Sequence, residues 1–170
     1  MGRFWIHVWL VMGLLGGVTV AEVDTVVAVS EEWEDGTNSD GSGFYWDLLK
    51  KVYESEGISV ETATMPYARA VSMVEHGKAD LWVASYLDEE DFVVYPKTAF
   101  DADMVTGVLK KHSLDTAEGQ QALEGKKVGW VRGYGYDQYL DVSVDIEELK
   151  NRKSAILMVQ KGRLDAFLDA

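Results

Sequence analysis

Apolar residues between positions 23 and 85 recur in patterns that predict three strands alternating with two helices. The predicted strands are 23–30, 58–64 and 81–85, and the predicted helices are 44–56 and 66–76. Each helical pattern carries apolar residues three and four positions apart and is followed by a glycine, Gly57 or Gly77, of the kind that ends helices. Strands and helices that alternate with short connections are typical of a parallel α/β unit.

The second half of the chain repeats this α/β pattern. Residues 93–111 predict extended segments, and 113–125 predicts a helix. Further strands are predicted at 127–131, 142–146 and 164–168, with a short helix ending near 140 and another helix at 154–161. The sequence therefore predicts an α/β fold with two units in series, joined near residues 105–111.

The N-terminus has the pattern of a targeting segment. Arg3 precedes an apolar run over residues 4–18, and the segment ends in the small residue Ala21. A membrane anchor is the alternative, but the run is short and its second half contains glycines. We therefore expect a cleaved signal peptide over residues 1–21 and a periplasmic protein.

Composition narrows the possible partners and cofactors. The 170 residues are 47% hydrophobic and 26% charged, which is a globular composition, and the net charge of −13 argues against nucleic acid or an anionic membrane as partner. Cysteine is absent, which excludes disulfides and thiolate metal sites. The three histidines lie far apart without ligand spacing, so we expect no metal and no other cofactor.

Polar and aromatic residues follow the predicted strands. In parallel sheets, ligands bind beyond the carboxyl ends of the strands. Aromatic side chains offer large flat contact areas, and arginines can hold a carboxylate or phosphate through two hydrogen bonds. The residues of these types in the corresponding loops are Glu32, Trp33, Tyr67, Arg69, Ser85, Tyr86, Arg132, Tyr134, Tyr136 and Asp169. They include no evident set of nucleophile, base and acid, so we expect ligand binding and no enzymatic activity.

Two of these residues have competing interpretations. Arg69 lies in the first turn of a predicted helix, where the positive end of the helix dipole disfavours a cation. It either faces an anionic group in a ligand cleft, or reaches solvent or one of the carboxylates of residues 88–90. Trp33 either contacts a ligand or covers the hydrophobic core.

Three other features favour structural interpretations. Trp82 lies inside a predicted strand and is expected to pack in the core. The acidic run at 88–91 predicts a solvated face. Residues 38–47 partly match a calcium-binding loop, but its first ligand position is Gly36, so we interpret the segment as a turn.

The chain resembles the periplasmic solute-binding proteins of family 3, which supply ABC transporters. Three segments carry the resemblance: PYARAVSMVEHGKADLWVASY, LEGKKVGWVRGYGY and MVQKGRLDAFLD. The family implies the two-lobe fold of type 2 periplasmic binding proteins, in which the lobes close on a small solute by rigid-body motion. Lobe 1 is expected over residues 22–108 and lobe 2 over 109–170, the second lobe being incomplete relative to the family.

The resemblance also implies roles for individual residues. Trp33 stands where an aromatic residue covers the ligand, and Ser85 where a serine of lobe 1 meets it. Gly133, Tyr134 and Gly135 stand at the turn of lobe 2 that presents backbone amides to the ligand.

Two positions depart from the amino-acid binders of this family. Glu90 occupies the place of the arginine that grips the ligand carboxylate, and Ala170 the place of an aspartate that binds the ammonium group. These departures argue against an ordinary α-amino acid as the ligand. Arg69 and Arg132 are the two candidates for the missing cation.

The function implied is periplasmic binding, by a monomer, of a small polar solute for uptake through an ABC permease. The solute could be amino-acid-like or another small organic molecule. Two alternatives stay open: a ligand-sensing module of a signalling system, and a non-functional fragment of a binding protein.

Overall fold

The computed structural model describes residues 23–110 and 119–170. The signal peptide expected at 1–21 and the first part of the helix predicted at 113–125 lie outside these described residues. Within them, no helix is long and apolar enough to cross a membrane.

The first half of the chain forms a three-stranded parallel sheet with two helices. Its strands are β1 (Thr25–Ser30), β2 (Ser59–Thr64) and β3 (Leu81–Trp82), in the order β2-β1-β3. The helices are α1 (Phe44–Glu54) and α2 (Tyr67–Glu75). This arrangement confirms the parallel α/β unit predicted from residues 23–85.

The two helices cover opposite faces of the first sheet. Ala28 and Val29 are adjacent in β1 and fully buried, and their side chains point to opposite faces because strand side chains alternate. Ala28 packs in a cluster with Trp46 of α1, whereas Val29 packs with Ala70 of α2. β1 is therefore the central strand, and its carboxyl end opens toward the second half of the chain.

β3 is shorter than the strand predicted at 81–85. Ala84 adopts a φ of 65°, in the left-handed region that a non-glycine residue rarely occupies. The extended conformation therefore ends before Ala84, and the chain turns into the segment that holds Ser85.

The second half forms a four-stranded sheet with one helix. The strands are β4 (Thr106–Leu109), β5 (Lys127–Val131), β6 (Asp145–Leu149) and β7 (Ala166–Asp169), in the order β4-β7-β5-β6. β4 is antiparallel to β7, and the other pairs are parallel. The helix is α3 (Arg152–Gln160), and two 3₁₀ turns span Gly119–Leu123 and Tyr136–Tyr139.

β6 lies three residues later than the strand predicted at 142–146. Val142 and Val144, whose alternation suggested the strand, pack against the core of the second sheet from the preceding loop. The strand itself is an edge strand rich in carboxylates, and Glu147 pairs with Lys127 of β5 at 3.1 Å. Charged residues are common on edge strands, so β6 lacks the apolar pattern from which a strand is predicted.

Three other predicted elements also differ from the structure. Of the extended segments predicted over 93–111, the described part, 93–110, has only β4 as a strand. The helix predicted from Ser154 begins at Arg152 because the Asn151 side chain caps it, accepting a hydrogen bond from the Ser154 N–H at 2.9 Å. A helix is predicted at 113–125, of which the structure describes residues 119–125. This part contains the 3₁₀ turn Gly119–Leu123.

The two sheets meet through α2. Tyr67, the first residue of α2, is buried in the same apolar cluster as Trp130 of β5 and Phe167 of β7. Gly133, which follows β5, lies so close to α2 that an added Cβ atom would be 3.1 Å from the Ala68 Cβ atom. The carboxyl ends of strands from both sheets therefore face one shared region.

Candidate ligand-binding site

Arg152 is the centre of a polar cluster between the two sheets. Its Nε donates to Asp169 Oδ2 at 2.6 Å, its Nη1 to Glu31 Oε1 at 3.2 Å, and its Nη2 to the Tyr134 hydroxyl at 2.6 Å. Tyr134 in turn donates its hydroxyl proton to Glu31 Oε2 at 2.8 Å. Glu31 directly follows β1 and the other three residues belong to the second half, so the cluster joins the two sheets.

Two aromatic rings flank the same guanidinium. The Cζ atom of Arg152 lies 5.9 Å from the centroid of the Trp33 ring and 5.7 Å from that of Tyr134. These distances are within the range of cation–π attraction. Trp33 also packs against the core cluster around Trp46. Its ring therefore lies beside the polar cluster and also covers part of the hydrophobic core.

Burial dominates the electrostatics of the cluster. Burial raises the pKa of Glu31, although the hydrogen bond from Tyr134 and the charge of Arg152 both act to lower it. Burial also raises the pKa of Asp169, although Arg152 acts to lower it. Burial also works to lower the pKa of Arg152, but the charges around it outweigh burial and raise it. The Oδ1 atom of Asp169 is buried and has no hydrogen-bond partner among the described residues.

These shifts predict that the cluster loses stability as the pH rises. Glu31 and Asp169 bind protons more tightly in the folded chain than at their ordinary pKa values of 4.5 and 3.8. Their contribution to the free energy of unfolding should therefore fall as the pH rises from about 4 through their raised pKa values, and then level off. Denaturant titrations of Glu31→Gln between pH 4 and 8 should show a smaller fall than the unaltered protein.

The matched control for this pH dependence is Glu32→Gln, since Glu32 is the exposed neighbour of Glu31. It should keep the full fall in the free energy of unfolding. Equal slopes for both variants would show that Glu31 does not carry this pH dependence.

A second carboxylate, Glu89, is held by donors from three other residues. It accepts hydrogen bonds from the Tyr67 hydroxyl at 2.9 Å, the Ser85 hydroxyl at 2.7 Å and the Tyr86 backbone N–H at 3.0 Å. The interpretation of residues 88–91 as a solvated face is therefore wrong for Glu89. Trp82 donates its indole N–H to the Tyr67 oxygen at 3.3 Å, and burial raises the pKa of this tyrosine.

Tyrosine rings connect the two clusters. Tyr67 and Tyr134 form an edge-to-face pair with centroids 5.2 Å apart, and Tyr134 forms a second such pair with Tyr136 at 5.4 Å. Tyr67 holds Glu89 and Tyr134 holds Glu31, so the tyrosine pair lies between the two carboxylates. We use "inter-sheet site" for this assembly: Glu31, Trp33, Tyr67, Ser85, Glu89, Tyr134, Arg152 and Asp169.

The predicted arginines lie at the periphery of this site. Arg69 is exposed and has no side-chain partner among the described residues, so it does not pair with the carboxylates of 88–90. Arg132 is exposed too, with its Nε 3.7 Å from Glu148 Oε2. The neighbouring Gly133 N–H donates to Glu148 Oε1 at 3.3 Å.

Tyr86 and Tyr136 line a separate cavity. Its volume is about 680 Å³, and apolar side chains such as Leu109, Leu123 and Leu168 form much of its wall. The cavity lies along β4 and β7 and beside the 3₁₀ turn Gly119–Leu123. Of the predicted site residues, these two therefore face a mainly apolar space next to the inter-sheet site.

Gly133 provides a test of the contact between the sheets. Its φ of 90° is one that side-chain-bearing residues rarely adopt, and an added Cβ would lie 3.1 Å from the Ala68 Cβ. We expect Gly133→Ala to lower the free energy of unfolding by about 2–3 kcal/mol, from backbone strain and overpacking together. Denaturant titration measures this loss.

Gly57→Ala is the matched control for Gly133→Ala. Gly57 has a similar φ of 79°, but an added Cβ there would meet nothing within 4 Å. The control should lose only the backbone part, about 1 kcal/mol. Equal losses in the two variants would show that the approach of Gly133 to α2 contributes nothing.

Three important residues of the site escaped the sequence analysis: Glu31, Glu89 and Arg152. Asn151 is a good N-cap residue, and this signal would have placed Arg152 at the start of a helix after β6. Glu31 is the first residue after β1, so the rule that ligands bind beyond the carboxyl ends of strands could have found it, whereas no local pattern marks Glu89. In the described ranges, no group of three potential ligands could hold a metal ion, and Asp40 of the calcium-loop-like segment accepts hydrogen bonds from Ser42 within a turn.

Solved structures resemble the chain in fold. No protein-family model matches the sequence, and no curated protein matches it. An ancestral arginine-binding protein bound to arginine is similar with a TM-score of 0.70 and 23% identity, over 86% of this chain and 70% of that one. The arginine-bound form of an arginine-binding protein from T. maritima has a TM-score of 0.69 and 18% identity, over 86% and 73%.

A third similar structure is an amino acid ABC transporter substrate-binding protein from Streptococcus pneumoniae bound to L-arginine. Its TM-score is 0.64 with 22% identity, over 86% of this chain and 67% of that one. The chain has the two-lobe α/β fold of these binding proteins. This confirms the predicted fold class, with the first and second sheets as the centres of the two lobes.

Proposed function

We propose that the protein binds a small polar solute at the inter-sheet site for uptake by an ABC-type transporter. The observation that carries this proposal is the Arg152 cluster, in which charged and aromatic side chains from both lobes converge. They meet beyond the carboxyl ends of β1, β5 and β7, where parallel α/β sheets bind their ligands. A solute held there would contact both lobes at once and favour their closed arrangement.

The similar structures support a binding function. The names of all three describe binding proteins, one of them a transporter component. Another similar structure is an ancestral amino-acid-binding protein described as a precursor of cyclohexadienyl dehydratase, with a TM-score of 0.69 and 20% identity. In this chain the carboxylates of the site are engaged by tyrosine, serine and arginine donors, an arrangement that suits binding better than proton transfer.

The proposal includes location and assembly. We propose export to the periplasm through the signal peptide at residues 1–21, action as a monomer, and delivery of the solute to a permease. The net charge of −13 is compatible with a protein that stays away from anionic membrane surfaces.

The residues proposed to contact the solute are those of the inter-sheet site that the sequence pointed to. These residues are Trp33, Tyr67, Ser85, Tyr134 and Asp169. The exposed Arg69 and Arg132, with Gly133, lie at the periphery, and Tyr86 and Tyr136 form the wall toward the neighbouring cavity.

Thermal unfolding with a panel of solutes tests the proposal. The panel comprises amino acids, small carboxylates, polyamines and sugars. A ligand at a hundredfold excess over its Kd stabilises the folded state by about 2.7 kcal/mol, which a melt resolves clearly. We expect one chemical class to raise the melting temperature.

A pair of variants connects that shift to the site. Trp33→Ala should abolish it, because the ring flanks the centre of the site. Phe44→Ala removes an aromatic ring of the same lobe that is 62% exposed, and it should leave the shift intact. No shift with any compound, or a shift that survives Trp33→Ala, would contradict the proposal.

A further inference from the structure

The hydrogen-bond donors of the inter-sheet site already bind the protein's own acceptors. The three guanidinium nitrogens of Arg152 donate to Asp169, Glu31 and Tyr134. The Ser85 hydroxyl and the Tyr86 N–H both donate to Glu89. Each guanidinium nitrogen of Arg152 already faces an acceptor of the protein, so a carboxylate on a solute would find only the second N–H of Nη1 or Nη2, on a cation that already faces Glu31 and Asp169.

The turn after β5 offers no better anion site. The Gly133 N–H and the Arg132 side chain are both directed to Glu148, at 3.3 Å and 3.7 Å. Of the two arginines considered as candidates for the missing cation, Arg69 alone has no carboxylate partner among the described residues, and it is exposed. An exposed cation binds an anion only weakly because water and salt screen the attraction.

The balance of charge in the site favours a cation. Glu31, Glu89 and Asp169 contribute three carboxylates, and Arg152 is the cation that faces two of them. The side chains of Glu31 and Asp169 are only 11% and 18% exposed, so their interactions are poorly screened.

One acceptor in the site is left over. Asp169 Oδ1 is buried and accepts no hydrogen bond from any described residue. Leaving such an atom unpaired is unfavourable, and an N–H donor from a solute would satisfy it. The site therefore has a buried acceptor without a partner, whereas every donor group of Arg152, Ser85 and Tyr86 has at least one partner within the protein.

The aromatic rings add to this preference. Trp33 and Tyr134 already lie around the guanidinium of Arg152 at distances typical of cation–π attraction. The Tyr67–Tyr134 pair lies between Glu89 on one side and Glu31 on the other. Carboxylates at both ends of an aromatic pair suit a molecule with a positive group at each end.

We infer that the solute is a small organic cation that carries amine, amidine or guanidinium groups and no carboxylate. This inference rests on the proposed function and specifies its substrate class. The N–H groups of one end bond Asp169 Oδ1 and the other end lies toward Glu89, with the tyrosine rings beside the chain between them.

Matched pairs of compounds test the substrate class by titration calorimetry on the purified protein. Agmatine and arginine share a guanidinium and an amine and differ in the carboxylate, whereas putrescine and ornithine share two amines and differ in the carboxylate. We expect the decarboxylated member of at least one pair to bind at least tenfold more tightly than its amino acid. Equal or tighter binding of the amino acids would overturn the inference.

Isosteric variants locate the binding of the cation. Asp169→Asn and Glu89→Gln should each weaken binding of the decarboxylated compound at least tenfold, whereas Asp137→Asn, at an exposed position of the second lobe, should not. Arg69→Ala should leave the affinity unchanged, and a loss would overturn the inference by indicating a bound anion. Melting temperatures of the free variants show whether each one is folded.

The outcomes separate the inference from the proposed function. If an uncharged or anionic compound binds and its binding requires Trp33, the proposed function is supported and the inference of a cationic solute is wrong. Absence of binding by every compound of the panel would refute both.

Discussion

Replacing Arg152 with alanine should lower the free energy of unfolding by about 3 kcal/mol, because two poorly exposed carboxylates lose their cation. Arg152 bonds Asp169 at 2.6 Å and Glu31 at 3.2 Å, and its own side chain is 27% exposed. Some water reaches the ion pairs, which keeps the loss at the lower end of the range for buried pairs. Urea denaturation with two spectroscopic probes measures it.

Lys153→Ala is the matched control for Arg152→Ala. Lys153 is the next residue of α3 and is exposed, so its removal should change the free energy of unfolding by less than about 0.5 kcal/mol. A loss below 1 kcal/mol for Arg152→Ala would show that the cluster does not hold the two lobes together.

Trp130→Ala should cause an even larger loss, about 3–5 kcal/mol, because it leaves a cavity in the second lobe. Trp130 is 1% exposed and belongs to the cluster that also buries Tyr67 and Tyr134. Its ring lies 6.2 Å from that of Tyr136, which in turn pairs with Tyr134 of the inter-sheet site, so the cavity would open next to these tyrosines. Denaturant titration measures the loss of stability.

Trp130→Phe separates the loss of volume from the loss of any aromatic ring. The smaller ring fills part of the space, so its cost should be clearly smaller than that of the alanine variant. Equal losses in both variants, or a loss below 1 kcal/mol for Trp130→Ala, would contradict the assignment of Trp130 to the core of this lobe.

Much of the fold could be predicted because its elements are marked by local patterns. The strand predicted at 127–131 coincides with β5, and α1 and α2 differ from their predicted bounds by one or two residues. A glycine with positive φ lies shortly after each of these helices, as the helix-stop pattern indicated.

The misplaced elements depend on contacts that a local pattern does not contain. β3 ends early because Ala84 turns to positive φ, which no feature of the segment 81–85 indicates. β6 was predicted three residues too early because its carboxylates occupy a sheet edge, while the valines before it pack on the core from a loop. In both cases tertiary packing outweighed local propensity.

The site could be predicted only in part for a similar reason. Trp33, Tyr67 and Tyr134 were selected because aromatic residues after parallel strands are typical of binding sites, and the structure brings them together. Arg152 and Glu31 are 121 residues apart, so no spacing rule relates them. Glu89 was treated as one of four acidic surface residues, because the donors that hold it are visible only in the folded chain.

Amide hydrogen exchange tests whether the solute binds between the two lobes. The protein is compared alone and with the panel compound that raises its melting temperature most. We expect slower exchange on both sides of the inter-sheet site together, at residues 31–37 in the first lobe and at 132–136 and 151–153 in the second. Slowing confined to the residues around the apolar cavity beside β4, or to one lobe alone, would contradict binding between the lobes.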